Sequence, residues 1–197
     1  MAIIGCGLIG AKRSAALGTD RLVATADKDI ARAERLSDSA HRDWQEVVRR
    51  EDVDIVIVAT TNDMLAEISL AAVEAGKHVL VEKPAARNAK ELNPLVKAAQ
   101  QKKVCVKVGF NHRFHPAMLK AKEIFDSGEI GELMFIRGRY GHGGRLGYEK
   151  EWRADPKISG GGELLDQGVH LIDLSRWFAA QDFSHVWGRA GTFFWNM

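Results

Sequence analysis

Two acids and an imidazole near residue 170 have the spacing of a general acid/base set. Asp166, His170 and Asp173 follow three consecutive glycines at 160–162. If a helix begins at about Glu163, the three side chains share one helical face. An imidazole can exchange a proton with a substrate hydroxyl, and a neighbouring carboxylate can fix its tautomer. The same groups could bind a metal ion or form a capped helix with a satisfied histidine, but we expect no metal.

A lysine between an apolar segment and a proline is the second candidate for chemistry. Lys83 belongs to Glu82-Lys83-Pro84, which follows a predicted strand over 77–81. An ammonium group held at a strand end can donate a hydrogen bond to a substrate hydroxyl or exchange a proton with it. Lys83 could instead form a structural ion pair with Glu82 or lie on the surface.

Glycines at the start of the chain could hold phosphate groups. The segment Gly5-Cys6-Gly7-Leu8-Ile9-Gly10 directly follows the apolar residues 1–4, and this spacing between a strand and a helix is typical of dinucleotide binding. The first glycine permits a tight turn, the second lets the backbone approach a pyrophosphate, and the third lets the helix pack on the strand. The N-terminus of the helix faces the phosphates. The predicted contacts are therefore Gly5, Gly7, Leu8, Ile9 and Gly10.

A carboxylate follows the second apolar segment. Asp27 comes directly after a predicted strand over 21–26, at the position where a ribose diol would be hydrogen-bonded. This favours NAD, because a carboxylate repels the 2′-phosphate of NADP, although Lys28 and Arg32 offer a competing attraction. Asp27 could also be a turn or cap residue before a helix over 30–36. The two roles are compatible.

Alternating strands and helices position these residues. The β-branched run 53–60 is typical of a strand covered on both faces, and it precedes a predicted helix over 64–75. A strand over 77–81, a helix over 88–101 and a strand over 104–108 follow. Such repeats predict a doubly wound parallel sheet, whose ligand edge lies at the carboxyl ends of its strands. The further candidates for cofactor binding at that edge are Thr60, Asn62, Glu82 and Lys83.

The pattern changes after Gly109, so we place a domain boundary near residue 108. A predicted helix over 117–127 is followed by an extended stretch over 132–140 and a loop over 141–162 that is rich in glycine and aromatic residues. Long loops within compact domains are usually functional or mobile. The candidates for contacting a substrate in this half are Arg113, Trp152, Arg153 and Asp173.

Composition limits the classes of partner. The 197 residues include 28 basic and 26 acidic side chains, for a net charge of +2. This balance gives no basis for nucleic-acid binding. No apolar run approaches the ~18 residues of a membrane span, so no membrane partner is expected. Cys6 and Cys105 have no metal-ligand spacing and are expected to be buried thiols, which favours a cytoplasmic protein.

Four motifs in order resemble the Gfo/Idh/MocA oxidoreductase family. They are the glycine segment 5–10, the segment 75–84 that ends in Glu82-Lys83-Pro84, the segment 109–116, and the glycines 160–162 with the acid/base residues after them. The resemblance implies an α/β protein with an N-terminal Rossmann domain over 1–108. It also implies a C-terminal α/β domain, here partial and covering 109–197, whose mainly antiparallel sheet often forms a dimer interface.

The resemblance also implies a reaction. Members oxidise or reduce a hydroxyl or carbonyl group of a sugar, polyol or similar compound with NAD or NADP. His170 would then remove the hydroxyl proton, Asp166 would orient the substrate or share the proton, and Lys83 would stabilise the developing alkoxide. A homo-oligomer is expected, since the segment Phe193-Phe194-Trp195 would leave an apolar sheet face exposed.

Two departures from the family pattern leave alternatives open. Thr61 stands where a proline is common, and Leu65 stands where a histidine is frequent, which affects the expected nicotinamide pocket. The chain is also shorter than family members usually are. The alternatives to a dehydrogenase are a non-catalytic dinucleotide-binding module and an enzyme that cleaves glycosides with NAD kept bound.

Overall fold

The computed structural model describes residues 1–141 and 146–191 and separates the chain into two compact units. The first unit is Met1–Gly109 together with Lys157–Gly160. The second unit is Phe110–Pro156 together with Gly161–Met197. The first unit thus begins and ends close to the predicted N-terminal domain, but it also takes in a short segment from the predicted loop.

A parallel sheet of six strands forms the centre of the first unit, with strand order β3-β2-β1-β4-β5-β6. Every pair of neighbouring strands is parallel. This confirms the predicted doubly wound parallel sheet. The strands are β1 (Ala2–Ile4), β2 (Ala24–Ala26), β3 (Ala40–His41), β4 (Ile55–Val58), β5 (His78–Val81) and β6 (Val106–Val108).

Helices cover both faces of this sheet because its central strands are apolar on both sides. Ile3 and Ile57 pack with Cys6 and Ala33 on one face, whereas Ile4 and Val58 belong to the larger cluster on the other. Alternate residues of a strand point to opposite faces, so an unbroken apolar run fills two layers. The helices are α1 (Leu8–Ala15), α2 (Ile30–Glu34), α3 (Trp44–Val48), α4 (Asn62–Glu74) and α5 (Ala89–Lys102).

The register places the predicted ligand edge in one row. Ile4 is paired with Ala26 and with Val58, and Val58 is paired with Val81. The residues directly after these strands therefore leave the sheet at the same level. Gly5, Asp27 and Glu82 accordingly follow β1, β2 and β5 at one edge, as the sequence predicted.

Two elements between residues 40 and 48 were not predicted individually. β3 has only two residues, and α3 has only five, so neither provides enough length for a clear periodic pattern. The sequence does carry a signal for the start of α3, because Asp43 is an acidic residue at the N-cap position. Its carboxylate accepts a hydrogen bond from the Gln45 N–H at 2.9 Å. An acidic N-cap of this kind satisfies one of the unpaired N–H groups of the first turn.

Side chains of residues 62 and 87 hydrogen-bond to main-chain carbonyl groups of the segment 157–160. The Asn62 side-chain amide donates to the Ser159 carbonyl at 2.9 Å, and the Arg87 guanidinium donates to the Lys157 carbonyl at 2.5 Å. Gly160 has a φ of +80°, and a Cβ there would lie 2.5 Å from the Cβ of Arg87. A glycine is required at this point by both the backbone conformation and the contact.

The second unit contains helices and short helical turns. Its described elements are the 3₁₀ turn Asn111–Phe114, α6 (Pro116–Asp126), the 3₁₀ turns Tyr148–Lys150 and Trp152–Ala154, α7 (Pro156–Ser159, which continues into the first unit), the π-helical segment Leu164–Gly168 and α8 (Val169–Ala179). Pro116 occupies the first turn of α6, where its missing N–H has no helical partner to lose. Among residues 110–141 and 146–191 the structure assigns no strand, so the antiparallel sheet stays a prediction. The segment Phe193-Phe194-Trp195 lies outside the described residues.

None of the helices in the described part of the chain has both the length and the apolar character that crossing a bilayer would need.

Candidate active site

The glycines that follow β1 differ sharply in the space around them. A Cβ on Gly5, whose φ is +91°, would lie 2.5 Å from the Ala59 carbonyl oxygen. A Cβ on Gly10 would lie 2.0 Å from the Gly5 carbonyl oxygen. A Cβ on Gly7, by contrast, would meet no atom of the described residues within 4 Å. Gly5 and Gly10 are therefore fixed by packing inside the fold, whereas Gly7 leaves the backbone open on its outer side.

The start of α1 provides hydrogen-bond donors next to Gly7. Gly7 is the N-cap residue, and Leu8, in the first turn of the helix, is 73% exposed. The N–H groups of a first helical turn have no partner within the helix and carry a partial positive charge. A cavity of about 350 Å³ opens beside the turn, lined by its residues and by Arg32 and Arg35. This arrangement fits a pyrophosphate group.

Asp27 holds the glycine turn in place. One carboxylate oxygen accepts the Cys6 N–H at 2.7 Å, and the other accepts the Asp29 N–H at 2.9 Å. The turn role that the sequence allowed for Asp27 is therefore present, while Asp29 and not Asp27 is the N-cap residue of α2. Lys28 is exposed, and its carbonyl accepts a hydrogen bond from Arg42. A ribose contact by Asp27 stays a prediction.

The thiol of Cys6 is buried beneath the same turn. Burial, and then the charge of Asp27, raise the pKa of Cys6 to about 12. Its sulfur lies 3.5 Å from the Ala26 carbonyl oxygen. Cys105 was also expected to be buried, but this prediction is wrong, because it precedes the edge strand β6 and is exposed.

An arginine of α1 binds the carboxylate that precedes Lys83. Arg13 Nε and Nη2 lie 2.6 and 2.5 Å from Glu82 Oε1. A Cβ on Gly109 would come within 3.1 Å of both side chains. The Glu82 carboxylate, which was a possible partner for Lys83, is thus bound by a residue of the first helix. The Lys83–Pro84 peptide bond is cis.

Of the two candidates after β4, Thr60 has a local contact and Asn62 has a long-range one. Thr60 Oγ1 donates to the Thr61 carbonyl at 3.3 Å. Asn62 is buried, and its side-chain amide donates a hydrogen bond to the Ser159 carbonyl. Leu65, at the position where a histidine is frequent in the family, is fully buried in the core. Cofactor contacts by Thr60 and Asn62 stay predictions.

In the second unit the acidic residues are on a helix that begins differently from the prediction. Residues 164–168 form a π-helical segment, and only then does α8 begin. Short π-helical segments are rare and are frequent at functional sites. Asp166 therefore lies in a wider turn than His170 and Asp173, both of which are buried in α8.

Each of the two carboxylates lies within ion-pair distance of an arginine, and the arginine near Asp166, Arg153, is also 3.4 Å from Glu151 Oε2. Arg113 Nε and Nη2 donate to the two oxygens of Asp173 at 2.7 and 2.5 Å. This bidentate contact raises the pKa of Arg113. Arg153 Nε lies 3.4 Å from Asp166 Oδ2. Arg113, Arg153 and Asp173, which were predicted to face a substrate, are thus brought together as ion pairs with the acid/base helix.

Aromatic side chains surround these charges. The Arg153 guanidinium lies 4.5 Å from the centre of the Trp152 ring, a cation–π contact. Burial, and then the charges of Asp166 and Glu163, raise the pKa of the Tyr148 phenol. His170 stacks on His112, with ring centroids 3.8 Å apart.

Sequence reasoning missed three residues of these groups: Arg13, His112 and Tyr148. Arg13 has a weak signal, because it follows the glycine turn by three residues on a short helix. His112 lies within the segment 109–116, one of the four family-like motifs, and Tyr148 lies in the glycine-rich loop over 141–162. The contacts of Arg13 and His112 join segments that are far apart in the chain, so spacing could not show them.

Two family models match the chain in order. Residues 1–110 match an oxidoreductase family with an NAD-binding Rossmann fold, and residues 118–196 match the Gfo/Idh/MocA C-terminal domain. Levoglucosan dehydrogenase from Pseudarthrobacter phenanthrenivorans is 34% identical over 184 residues, covering 87% of this chain and 45% of that protein. Inositol 2-dehydrogenase 2 from Saccharopolyspora erythraea is 33% identical over 190 residues, covering 91% and 53%. The chain spans about half the length of the curated relatives it matches.

Solved structures show the same fold. The myo-inositol 2-dehydrogenase of Lactobacillus plantarum aligns with a TM-score of 0.80 and 28% identity, over 92% of this chain and 56% of that one. A levoglucosan dehydrogenase in complex with NADH and levoglucosan aligns with a TM-score of 0.78 and 29% identity, over 90% and 52%.

The two thiols should react at very different rates. With a pKa of about 12, Cys6 is almost entirely protonated at pH 8, and only the thiolate attacks a disulfide reagent. In the Cys105→Ser variant, we expect Cys6 to react with Ellman's reagent at least ~100-fold more slowly than Cys105 reacts in Cys6→Ser. Denaturant should remove the difference. Equal rates in the folded variants would contradict the burial of Cys6.

Proposed function

Because this chain belongs to the Gfo/Idh/MocA oxidoreductase family, we propose that it binds NAD and transfers a hydride between that cofactor and a sugar or polyol. The reacting group would be a hydroxyl or carbonyl. Relatives named levoglucosan dehydrogenase and inositol 2-dehydrogenase support this substrate class. The observation that carries the proposal is the open backbone at Gly7 between the tightly packed Gly5 and Gly10.

The residues around the turn favour NAD over NADP. Asp27 is held by two backbone N–H groups, so its carboxylate cannot readily move away from a 2′-phosphate. Arg32 and Arg35 line the adjacent cavity and would attract that phosphate. Arg32 already forms an ion pair with Asp29 at 3.2 Å, which weakens its contribution. NADP is therefore the weaker ligand of the two.

The bound nicotinamide would accept the hydride, and the side chains of this chain would handle the proton. His170 would take the proton of the substrate hydroxyl as the carbon–hydrogen bond breaks. Lys83 would donate a hydrogen bond to the developing alkoxide oxygen. Asp166, with its charge opposed by Arg153, would orient the substrate or share the proton.

The remaining polar candidates are proposed to shape the substrate pocket. Arg113 and Asp173 form a bidentate pair, which would fix the position of both side chains in the pocket wall. The Asp173 carboxylate would still have lone pairs that can accept a hydrogen bond from a substrate hydroxyl. Trp152 stacks on Arg153 and offers a flat apolar surface suited to a sugar ring.

We also propose a mainly antiparallel sheet in the second domain and a homo-oligomer in the cytoplasm. The extended stretch 132–140 would supply a strand. Several large apolar side chains of the second unit are exposed, among them Met134 (86%), Phe135 (79%) and Trp187 (89%). Exposed apolar side chains mark an interface where they form a contiguous patch, and we propose that these do. Free thiols at both cysteines are consistent with a reducing compartment.

Replacement of Gly7 should separate cofactor binding from folding. In Gly7→Ala the added methyl group has room in the protein but would project toward the pyrophosphate. We expect the dissociation constant of NADH, measured by fluorescence titration, to rise about tenfold or more, with a change below ~1 kcal/mol in the free energy of unfolding. The matched Gly10→Ala variant should lose at least ~2 kcal/mol of stability, because its methyl group would overlap the Gly5 carbonyl. Unchanged NADH affinity in Gly7→Ala would contradict the proposed site.

Replacement of Lys83 should affect turnover much more than binding. In Lys83→Ala we expect NADH affinity to stay within ~3-fold, while oxidation across a panel of sugars and polyols falls at least ~100-fold. Lys90→Ala, which removes an exposed lysine from the first turn of α5, is the control. Equal losses of binding and turnover would show that Lys83 is structural. NADH binding without turnover by the unmodified chain would favour a non-catalytic dinucleotide-binding module.

Sedimentation velocity tests the oligomer. At roughly tens of micromolar we expect a species larger than the 21.8 kDa monomer, because exposed apolar area drives association. The Met134→Ser/Phe135→Ser double variant should shift the distribution toward the monomer. A single monomeric boundary for the unmodified chain would refute the proposal.

A further inference from the structure

Two histidines of the second unit stack face to face. The ring centroids of His112 and His170 are 3.8 Å apart, and the ring planes differ by 14°. His170 is 4% exposed, whereas His112 is only partly buried. The rings belong to segments that are far apart in sequence, the 3₁₀ turn Asn111–Phe114 and α8.

Neighbouring side chains hold the stack from several directions. Phe110 and His170 form a T-shaped pair, with 6.1 Å between the ring centroids and an interplanar angle of 81°. Tyr140 makes similar edge contacts with both imidazoles, at 5.4 Å and 6.4 Å. The bidentate pair of Arg113 and Asp173 also joins the turn to the helix, one residue from His112 and three from His170. The two rings are therefore kept in contact by the packing of the whole group.

Stacked rings at this distance cannot both carry a proton without strong repulsion. For unit charges about 4 Å apart at an effective dielectric constant of about 20, the repulsion corresponds to about three pH units. Two groups that interact this strongly take up protons as a pair, in two separated steps. A charge is better hydrated on the more exposed ring, so the first proton from solvent goes to His112.

Two of the carboxylates near the pair are opposed by arginines. Asp173 is bound by Arg113, and Asp166 lies opposite Arg153. Their fields at His170 therefore partly cancel, which leaves the second imidazole as the nearest group able to change charge around neutral pH. The charged and titratable residues on α8, on the π-helical segment and on the segments beside the pair are Arg113, Arg139, Tyr140, Tyr148, Arg153, Glu163, Asp166, Asp173 and Arg176. Arg176 forms an ion pair with Asp182.

We propose that His112 is a positioning residue for His170, and that the stack makes the two imidazoles a unit that holds one proton. The proposal rests on the function proposed above for His170. When neither ring is charged, His170 can take the hydroxyl proton of the substrate as the hydride leaves for the cofactor. When solvent has protonated His112, a second proton on His170 is opposed, so this ring no longer acts as a base. The protonation of His112 thereby sets the pH below which the oxidation slows.

Histidine-selective NMR titration of the unmodified chain tests this without cofactor or substrate. We expect the two rings to titrate in separate steps, with the second step more than about one pH unit below the first, a factor of about ten or more in proton affinity. If the second step lies below about pH 5, His170 should show no titration above that pH. In His112→Phe, which keeps a flat ring, the midpoint of His170 should rise by more than about one pH unit.

Three further variants complete the test. His170→Phe should leave His112 with a single step at the upper midpoint. His112→Gln gives the same expected rise for His170 and replaces His112→Phe if that variant does not fold. His115→Asn, which removes a nearby imidazole and keeps a capping side chain at the start of α6, should leave both midpoints unchanged. Midpoints that do not move when the partner ring is removed would overturn the proposal. A chain that shows the coupling but no turnover would instead count against the proposed function.

Discussion

The close approach of Gly10 to the carbonyl of Gly5 is the contact on which the candidate cofactor site depends. Only a residue without a side chain can bring the first helix this near to the first strand, since a Cβ would lie 2.0 Å from the carbonyl oxygen. The helix then begins directly beside the open backbone of Gly7. The same placement directs Arg13 to Glu82, so one packing contact aligns both the phosphate end of the site and the turn that carries Lys83.

In both units, carboxylates of the candidate sites are paired with cations or with N–H groups. Burying a carboxylate is costly unless a cation or several hydrogen bonds accompany it. Asp27 meets this requirement with two backbone N–H groups, and Glu82 meets it with Arg13. In the second unit, Asp173 is bound by Arg113. These three acids, which the sequence predicts as cofactor or substrate contacts, therefore also tie separate segments together.

The acid/base helix shows how a local departure from regular structure changes a site. A continuous α-helix from Glu163 would have aligned Asp166, His170 and Asp173 on one face. The π-helical segment places Asp166 in a wider turn, next to Arg153, while His170 and Asp173 lie buried in α8. His170 is packed there against a second imidazole, which gives its protonation a neighbour that no spacing pattern indicated.

The sequence by itself determined the parallel sheet, the glycine turn, and the positions of Asp27, Lys83 and His170 along the chain. These features depend on local conformation and periodicity, which a single segment expresses without its partners. Only the tertiary structure decided that Arg13 faces Glu82, that His112 stacks on His170, and that residues 157–160 join the first unit. Each of these contacts joins residues more than fifty positions apart. Their geometry follows from how whole elements pack, because side-chain charge and shape are matched only after the backbone has brought them together.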